Sequence, residues 1–225
     1  MEKKDLINKN IVLAHLTEKE KDQLADLSRI RVYPKNSFLF WQDERVTNGF
    51  LVIKGLVKLY RSHASGRIRT LALKNGFDLI SHFSLVFPYD HLCTAQLLSK
   101  ATVLCFPVEE LMEIARFNEE FQNALRQAVN NTFKSSLMEV ENRIFLNING
   151  CLASKLIELA EKFGIARREG TVINLRLTHR QLADMIGTNR ETVCKELLFL
   201  KKSKAIVVND NLITIINRKK LAIGM

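Results

Sequence analysis

The sequence predicts an α+β protein with an N-terminal double-stranded β-helix (jelly roll), a long dimerisation helix and a C-terminal winged helix-turn-helix. Three observations carry this prediction. Short β-rich segments separated by turn residues fill the stretch from Val32 to Phe106. Between Pro107 and Gly150 there is neither Gly nor Pro, and apolar residues recur at helical spacing. From Leu177 to Lys202 a capped helix, a glycine and a second capped helix follow one another. The chain of 225 residues divides accordingly into residues 1–107, 108–147 and 148–225.

At the N-terminus, Leu13, Leu16, Leu24 and Leu27 have helical spacing, and Thr17 with Glu20 three residues on forms a capping box, so one or two short helices open the chain. Strands are then expected over Ser37 to Trp41, Phe50 to Lys54, Leu56 to Arg61, Arg69 to Leu73 and Thr102 to Phe106. Gly49, Gly55, Gly66 and Gly76 punctuate them. The intervening helices of a parallel α/β fold are missing, which leaves a sandwich or jelly roll.

Val129, Phe133, Leu137, Val140 and Ile144 step by four, four, three and four, an apolar stripe along one long helix. Such a stripe is buried either against a second copy of itself, as in a two-stranded coiled coil, or against its own β domain. Asn147-Ile148-Asn149-Gly150 reads as a hinge, and Leu152 to Phe163 as a further helix.

The most specific pattern is LTHRQLADMIGTNRETVCKELLFLKK. Thr178 and Gln181 form a capping box, Leu182, Ala183 and Ile186 make a buried face, Gly187 turns the chain, and Asn189 caps a helix from Arg190 to about Lys202. Val193, Leu197, Leu198 and Leu200 are expected to face inward. Arg190, Glu191 and Lys195 then stand on the outer face near the N-terminal end, the part of a recognition helix that enters the major groove. Arg can donate two bonds to a guanine edge, Glu can accept from a cytosine amino group, and Lys can reach guanine or phosphate. Thr178, Arg180, Asn189 and Thr192 are placed to hold phosphates. The competing reading is a Glu191–Lys195 ion pair on a solvated helix. Ile206-Val207-Val208, a polar turn at Asn209-Asp210-Asn211 and Leu212 to Ile216 form the wing, with Arg218, Lys219 and Lys220 adding basic surface. The partner is double-stranded DNA, and the expected role is transcription regulation.

Charge agrees. Of the net +10, residues 150–225 hold +7, with 14 Lys or Arg against 7 Asp or Glu. There is no apolar run near membrane-spanning length, and the charged N-terminus lacks a secretion signal, so no membrane partner and a cytoplasmic location are expected. Cys93, Cys105, Cys151 and Cys194 lie far apart, His15, His63, His82, His91 and His179 are scattered, and neither a metal site nor a catalytic set is expected. A small-molecule-binding protein in which the β domain does the work is the competing class.

At this point the chain resembles the CRP/FNR superfamily of bacterial regulators over nearly its whole length. Tyr33-Pro34-Lys35-Asn36-Ser37, Trp41-Gln42-Asp43-Glu44, Leu51-Val52-Ile53-Lys54-Gly55 and Gly76-Phe77-Asp78-Leu79-Ile80 look like landmarks of its β-roll, and Asn189-Arg190-Glu191-Thr192-Val193 is close to its recognition-helix signature. The resemblance implies an effector-sensing roll, dimerisation through the long helix, palindromic DNA as target and RNA polymerase as a partner. It also makes Arg190, Glu191 and Lys195 the base readers, with Lys195 where the family commonly has Arg. Cyclic-AMP binders of the family carry Gly-Glu and later Arg-Ser in the roll, whereas here Ser81-His82 and Cys93-Thr94-Ala95 correspond. The Arg that neutralises the cyclic phosphate is missing, so cyclic AMP is not expected. No cysteine precedes Cys93, which argues against an iron-sulfur cluster. The effector pocket then involves Ser81, His82, His91, Cys93 and Thr94. His82, His91 and Cys93 could ligate haem, or could be partly exposed residues of a loop around Phe87-Pro88. Cys93 and Cys105 could form a redox-switched disulfide. A regulator active without any effector is the remaining alternative.

Overall fold

In the computed structural model of the protein, residues 2–80, 82–86 and 90–222 are described. The chain forms two compact units, Met1–Lys134 and Ser135–Met225.

The first unit opens with α1 (Lys3–Asn8), a 3-10 turn at Leu13–His15 and α2 (Glu18–Leu27), the last started by the Thr17/Glu20 capping box. Asn10, almost fully buried, holds this entry in place. Its side-chain oxygen accepts the Val12 and Leu13 N–H groups at 3.0 and 2.9 Å, and its amide donates to the Phe77 carbonyl at 2.9 Å.

Seven strands follow: β1 (Arg29–Tyr33), β2 (Phe38–Phe40), β3 (Asn48–Lys54), β4 (Val57–Ser62), β5 (Ile68–Lys74), then, after the short helix α3 (His82–Val86), β6 (Thr94–Leu97) and β7 (Ala101–Pro107). They make two antiparallel sheets, ordered β1-β7-β3 and β2-β6-β4-β5. The alternation of β7 explains the layering, because successive side chains point to opposite faces. Leu104 and Phe106 pack outward on the helices with Ile7, Leu24 and Leu111, while Val103 and Cys105 pack inward on Leu59, Ala95 and Leu97 of the second sheet. Gly55, at φ 109°, turns β3 into β4 where a side chain would meet Ala101.

Strands β1 and β6 have no counterpart among the segments expected from sequence. The stretch after Pro107, expected as one helix, is two: α4 (Val108–Ile114) ends before Asn118, and α5 (Glu119–Phe145) starts anew. Asn118 Oδ1 accepts the Phe121 N–H at 2.9 Å, which is the cap of a fresh helix start. Phe121 and Leu125 are fully buried in the core that joins helices to sheet. Beyond them Phe133, Leu137, Val140 and Ile144 are all at least half exposed. The β domain therefore covers the first turns of α5 and leaves the apolar stripe bare on the single chain.

In the second unit the end of α5 meets α6 (Ile148–Phe163), where Asn142 Nδ2 donates to Ser154 Oγ at 3.1 Å. The hinge is shorter than its sequence suggested: Asn147 is the N-cap of α6, accepting the Gly150 N–H at 2.9 Å, so Ile148 to Gly150 are helical. There follow β8 (Gly164–Arg167), β9 (Gly170–Ile173), α7 (His179–Ile186), α8 (Arg190–Lys202), β10 (Ile206–Asn209), β11 (Leu212–Ile215) and α9 (Arg218–Ala222). The sheet order is β10-β11-β9-β8, which makes the wing half of a four-stranded sheet. Among the described residues no helix is long and apolar enough to cross a membrane.

Candidate nucleic-acid interface

Local chemistry builds α7 and α8. Thr178 Oγ1 accepts the Gln181 N–H at 3.2 Å, and Gln181 Oε1 accepts the Thr178 N–H at 2.8 Å, closing the capping box. Gly187 takes the left-handed conformation, φ 71° and ψ 40°, and its N–H bonds the Ala183 carbonyl. Two residues later Asn189 Oδ1 accepts the Thr192 N–H at 2.7 Å and starts α8. Leu182, Ala183 and Ile186 of α7 and Val193, Leu197 and Leu200 of α8 are buried between them. Leu198, read as inward, is half exposed instead. It lies about 130° round from the buried centre of α8, on the side of Glu191.

Arg190, Glu191 and Lys195 are all exposed. Among the described residues no ion pair joins Glu191 to Lys195, so the solvated-pair reading does not describe this helix, and both side chains stand ready for another partner. Glu196, round the helix from them, is held from behind by Asn149, whose Nδ2 donates to its Oε2 at 2.7 Å.

The phosphate candidates are less uniform. Thr178 and Asn189 cap with their oxygens, leaving the hydroxyl hydrogen and the amide NH2 as donors. Thr192 is half-buried one residue beyond Glu191. Arg180 is turned along its own helix, Nε 3.1 Å from Asp184 Oδ1. At the wing, Asp210 and Asn211 have φ of 48° and 62°, the positive pair that a two-residue hairpin turn requires. Arg218 pairs with Glu161, and among the described residues Lys219 and Lys220 have no ion-pair partner. Lys220 also reaches the Ser203 carbonyl. The β8–β9 hairpin, with Arg167 at its end, was missed by the sequence reading. Its only signal was Gly164 and Gly170 flanking a short mixed run.

The polar residues assigned to the roll behave differently. Ser81 and the Phe87-Pro88 loop lie outside the described residues. His82 and His91 are buried, contrary to the reading of them as partly exposed. His82 Nδ1 faces the Leu79 carbonyl at 3.4 Å and Nε2 lies 3.0 Å from Thr132 Oγ1 on α5. Burial pushes its pKa down to about 4, helped by Lys74. The Thr132 hydroxyl donates to the Ala128 carbonyl at 3.0 Å, so its oxygen is left to accept from an Nε2–H of the neutral ring. His91 stacks on Phe40 with centroids 3.6 Å apart, and burial takes it too to about 4. Cys93 is pushed up to about 11 by burial, and the Cys105 thiol is raised for the same reason. Both are free thiols, and their shifts run against the thiolate chemistry of a redox switch or a haem ligand. Thr94 Oγ1 accepts the Gln42 N–H at 3.0 Å. Arg61, which acts electrostatically on Cys93, is anchored on the Leu92 carbonyl.

Known proteins share both halves. The Crp-like helix-turn-helix domain family matches residues 152–222, and the cyclic nucleotide-binding domain family matches residues 30–117. The global nitrogen regulator of Synechococcus elongatus is 27% identical over 214 residues, covering 94% of this chain and 96% of its own. The CRP-like cAMP-activated global transcriptional regulator of Mycobacterium tuberculosis is 22% identical over 165 residues, covering 73% and 74%. Among solved structures, a CooA mutant from Carboxydothermus hydrogenoformans superposes with a TM-score of 0.78 at 22% identity, covering 95% of this chain and 94% of that one.

Proposed function

The chain belongs to the CRP/FNR superfamily of DNA-binding transcription regulators, and on that premise we propose that it binds a palindromic operator as a homodimer and is controlled through its β-roll. The observation that carries the reading is α8: a capped helix with Arg190, Glu191 and Lys195 exposed on one side and no ion pair between the last two. Arg190 and Glu191 read a guanine and a cytosine edge, and Lys195, lacking the guanidinium fork, contributes a single contact. Thr178, Arg180, Asn189 and Thr192 fix the register on phosphates, Arg180 after release from Asp184.

Dimerisation supplies the two-fold symmetry of the operator. The bare stripe of Phe133, Leu137, Val140 and Ile144, stepping by four, three and four, has the spacing of a coiled-coil seam. Half-sites are then about one helical turn apart. RNA polymerase is the further partner through which bound protein acts on transcription.

A cyclic nucleotide does not fit the residues present. Cys93, a neutral thiol, stands where the resemblance puts the phosphate-binding arginine, and the Thr94 hydroxyl is engaged by Gln42. An anionic phosphate buried there would lack its charge-assisted bonds. The effector is therefore of another chemical class. A second reading, activity with no effector, draws support from the internal partners that His82 and Thr94 already have.

The test is selection of bound genomic fragments by the purified protein, followed by binding of the recovered sequence. A two-fold palindrome bound with steep salt dependence is expected. Recovery of fragments without symmetry, or binding unaffected by Arg190→Ala and Glu191→Ala, would overturn the assignment. Repeating the measurement with metabolite-supplemented, oxidised and reduced protein separates control through the roll from constitutive activity.

A further inference from the structure

Strand β1 is built the wrong way round for an ordinary sandwich strand. It is an edge strand of its sheet, and its register places Arg29 beside Cys105 and Phe50, and Arg31 beside Val103 and Val52. Those four neighbours belong to the core between the two sheets, so the face carrying the arginines is the inward one. Ile30 and Val32, on the alternate positions, are exposed at 44% and 59%. Arg29 and Arg31 are exposed as well, because their face opens onto a cleft of about 330 Å³ instead of packed core.

The cavity has two chemically distinct parts. Arg29 and Arg31 form one wall, their Cα atoms about 7 Å apart along the strand. Leu39 and Phe50 form an apolar surface, and Tyr33 and Cys105 lie between, the phenol oxygen 3.7 Å from the thiol. None of the residues lining the cavity is acidic. Burial raises both the Tyr33 and Cys105 pKa values, so these groups stay neutral at pH 7 and the charge of the cleft is that of the guanidiniums. None of the residues assigned above to the effector pocket lines it.

We propose that this cleft binds a small amphipathic organic anion, its carboxylate or similar head bridged by Arg29 and Arg31 and its apolar body laid against Leu39 and Phe50. Two guanidiniums two residues apart on one strand face can share one anion through charge-assisted bonds. The volume suits a ligand with one or two rings. The site stands on the cleft alone and does not depend on how α8 meets DNA.

Calorimetric titration of the full-length protein tests this with three probes: 2-naphthoate, its neutral amide 2-naphthamide, and inorganic phosphate, an anion without an apolar body. Naphthoate should bind one per chain, at least tenfold more tightly than either control. Arg29→Gln with Arg31→Gln should weaken it at least tenfold, Arg31→Gln alone by a smaller factor, and Cys93→Ser not at all. If the double variant fails to fold, the single variant carries the comparison. No heat with naphthoate up to millimolar concentration would overturn the proposal, and the inward arginines would then serve only to keep the edge strand from pairing with other chains. Equal binding of the amide would overturn the anion class, and sensitivity to Cys93→Ser without sensitivity at Arg31 would move the ligand to the other pocket. Arg190→Ala should retain naphthoate binding, so failure here and failure of the DNA assignment are read separately.

Discussion

Polar side chains are used in opposite ways by α8 and by the interior of the β-roll. On α8, Arg190, Glu191 and Lys195 are exposed, and no ion pair ties Glu191 to Lys195. In the roll, His82, His91 and Thr94 are buried and each has an internal neighbour within contact distance. A group that must meet a rigid macromolecule gains from being desolvated only on binding, because its hydrogen bonds then discriminate between partners. A buried group with a satisfied bond instead reports a change in its surroundings, since losing that bond costs about 1–3 kcal/mol. The first arrangement suits the proposed reading of DNA, and the second suits the proposed control through the roll.

The largest expected effect lies between the two, on α5. Leu137→Lys combined with Val140→Lys should leave the folded chain intact, both positions being about half exposed, yet give a monomer by sedimentation velocity. Affinity for a palindrome should fall more than a hundredfold, because each half-site must then be bound alone. A dimer that survives the double substitution would remove the stripe as the interface.

Next are the proposed base readers. Arg190→Ala and Glu191→Ala should each weaken specific binding by about 5- to 150-fold, corresponding to about 1 to 3 kcal/mol, while binding to unrelated DNA changes little. Fluorescence anisotropy on matched and mismatched operators gives both numbers. Equal loss on both sequences would turn these residues from readers into phosphate contacts.

For the roll the probe is pH. His82 and His91 have folded pKa values of about 4 against about 6.5 unfolded, so the unfolded chain binds more protons between those values. Stability should be level above pH 6.5 and fall by a few kcal/mol as pH drops towards 4, followed by urea unfolding at fixed pH. His91→Phe, which keeps a ring on Phe40, should flatten part of that slope. An unchanged slope would mean that the imidazole is not buried as a neutral ring. The smallest effect is expected for Arg180→Ala. Its loss should lower affinity a few-fold on every sequence and reduce the salt slope by about 1, with part of the effect masked by the bond to Asp184.

The difference between the regions also explains what the sequence disclosed. Thr178, Gly187 and Asn189 act through bonds spanning three or four residues, so α7, the turn and α8 were legible with their ends. The roll depends on pairs far apart in the chain. Strand β1 hid because its arginines sit where apolar residues belong, and the split between α4 and α5 hid because its one signal, Asn118, lies in a run without Gly or Pro. Leu198 was misplaced because its residue type suggested burial while its angular position on the helix did not. That His82 meets Thr132, 50 residues away, could not be read from either side chain's neighbours in sequence.

The bond from Asn149 to Glu196 has a mechanical meaning. Side chains extend about 6 Å from a helix axis, so a rotation of α8 by about 10° moves their tips by about 1 Å, enough to carry a donor out of hydrogen-bonding range of a base edge. A single strut from the first turn of α6, on the side of α8 away from the readers, therefore sets an angular tolerance for the whole helix. Its loss would blur which base is favoured before it lowered how tightly DNA is held.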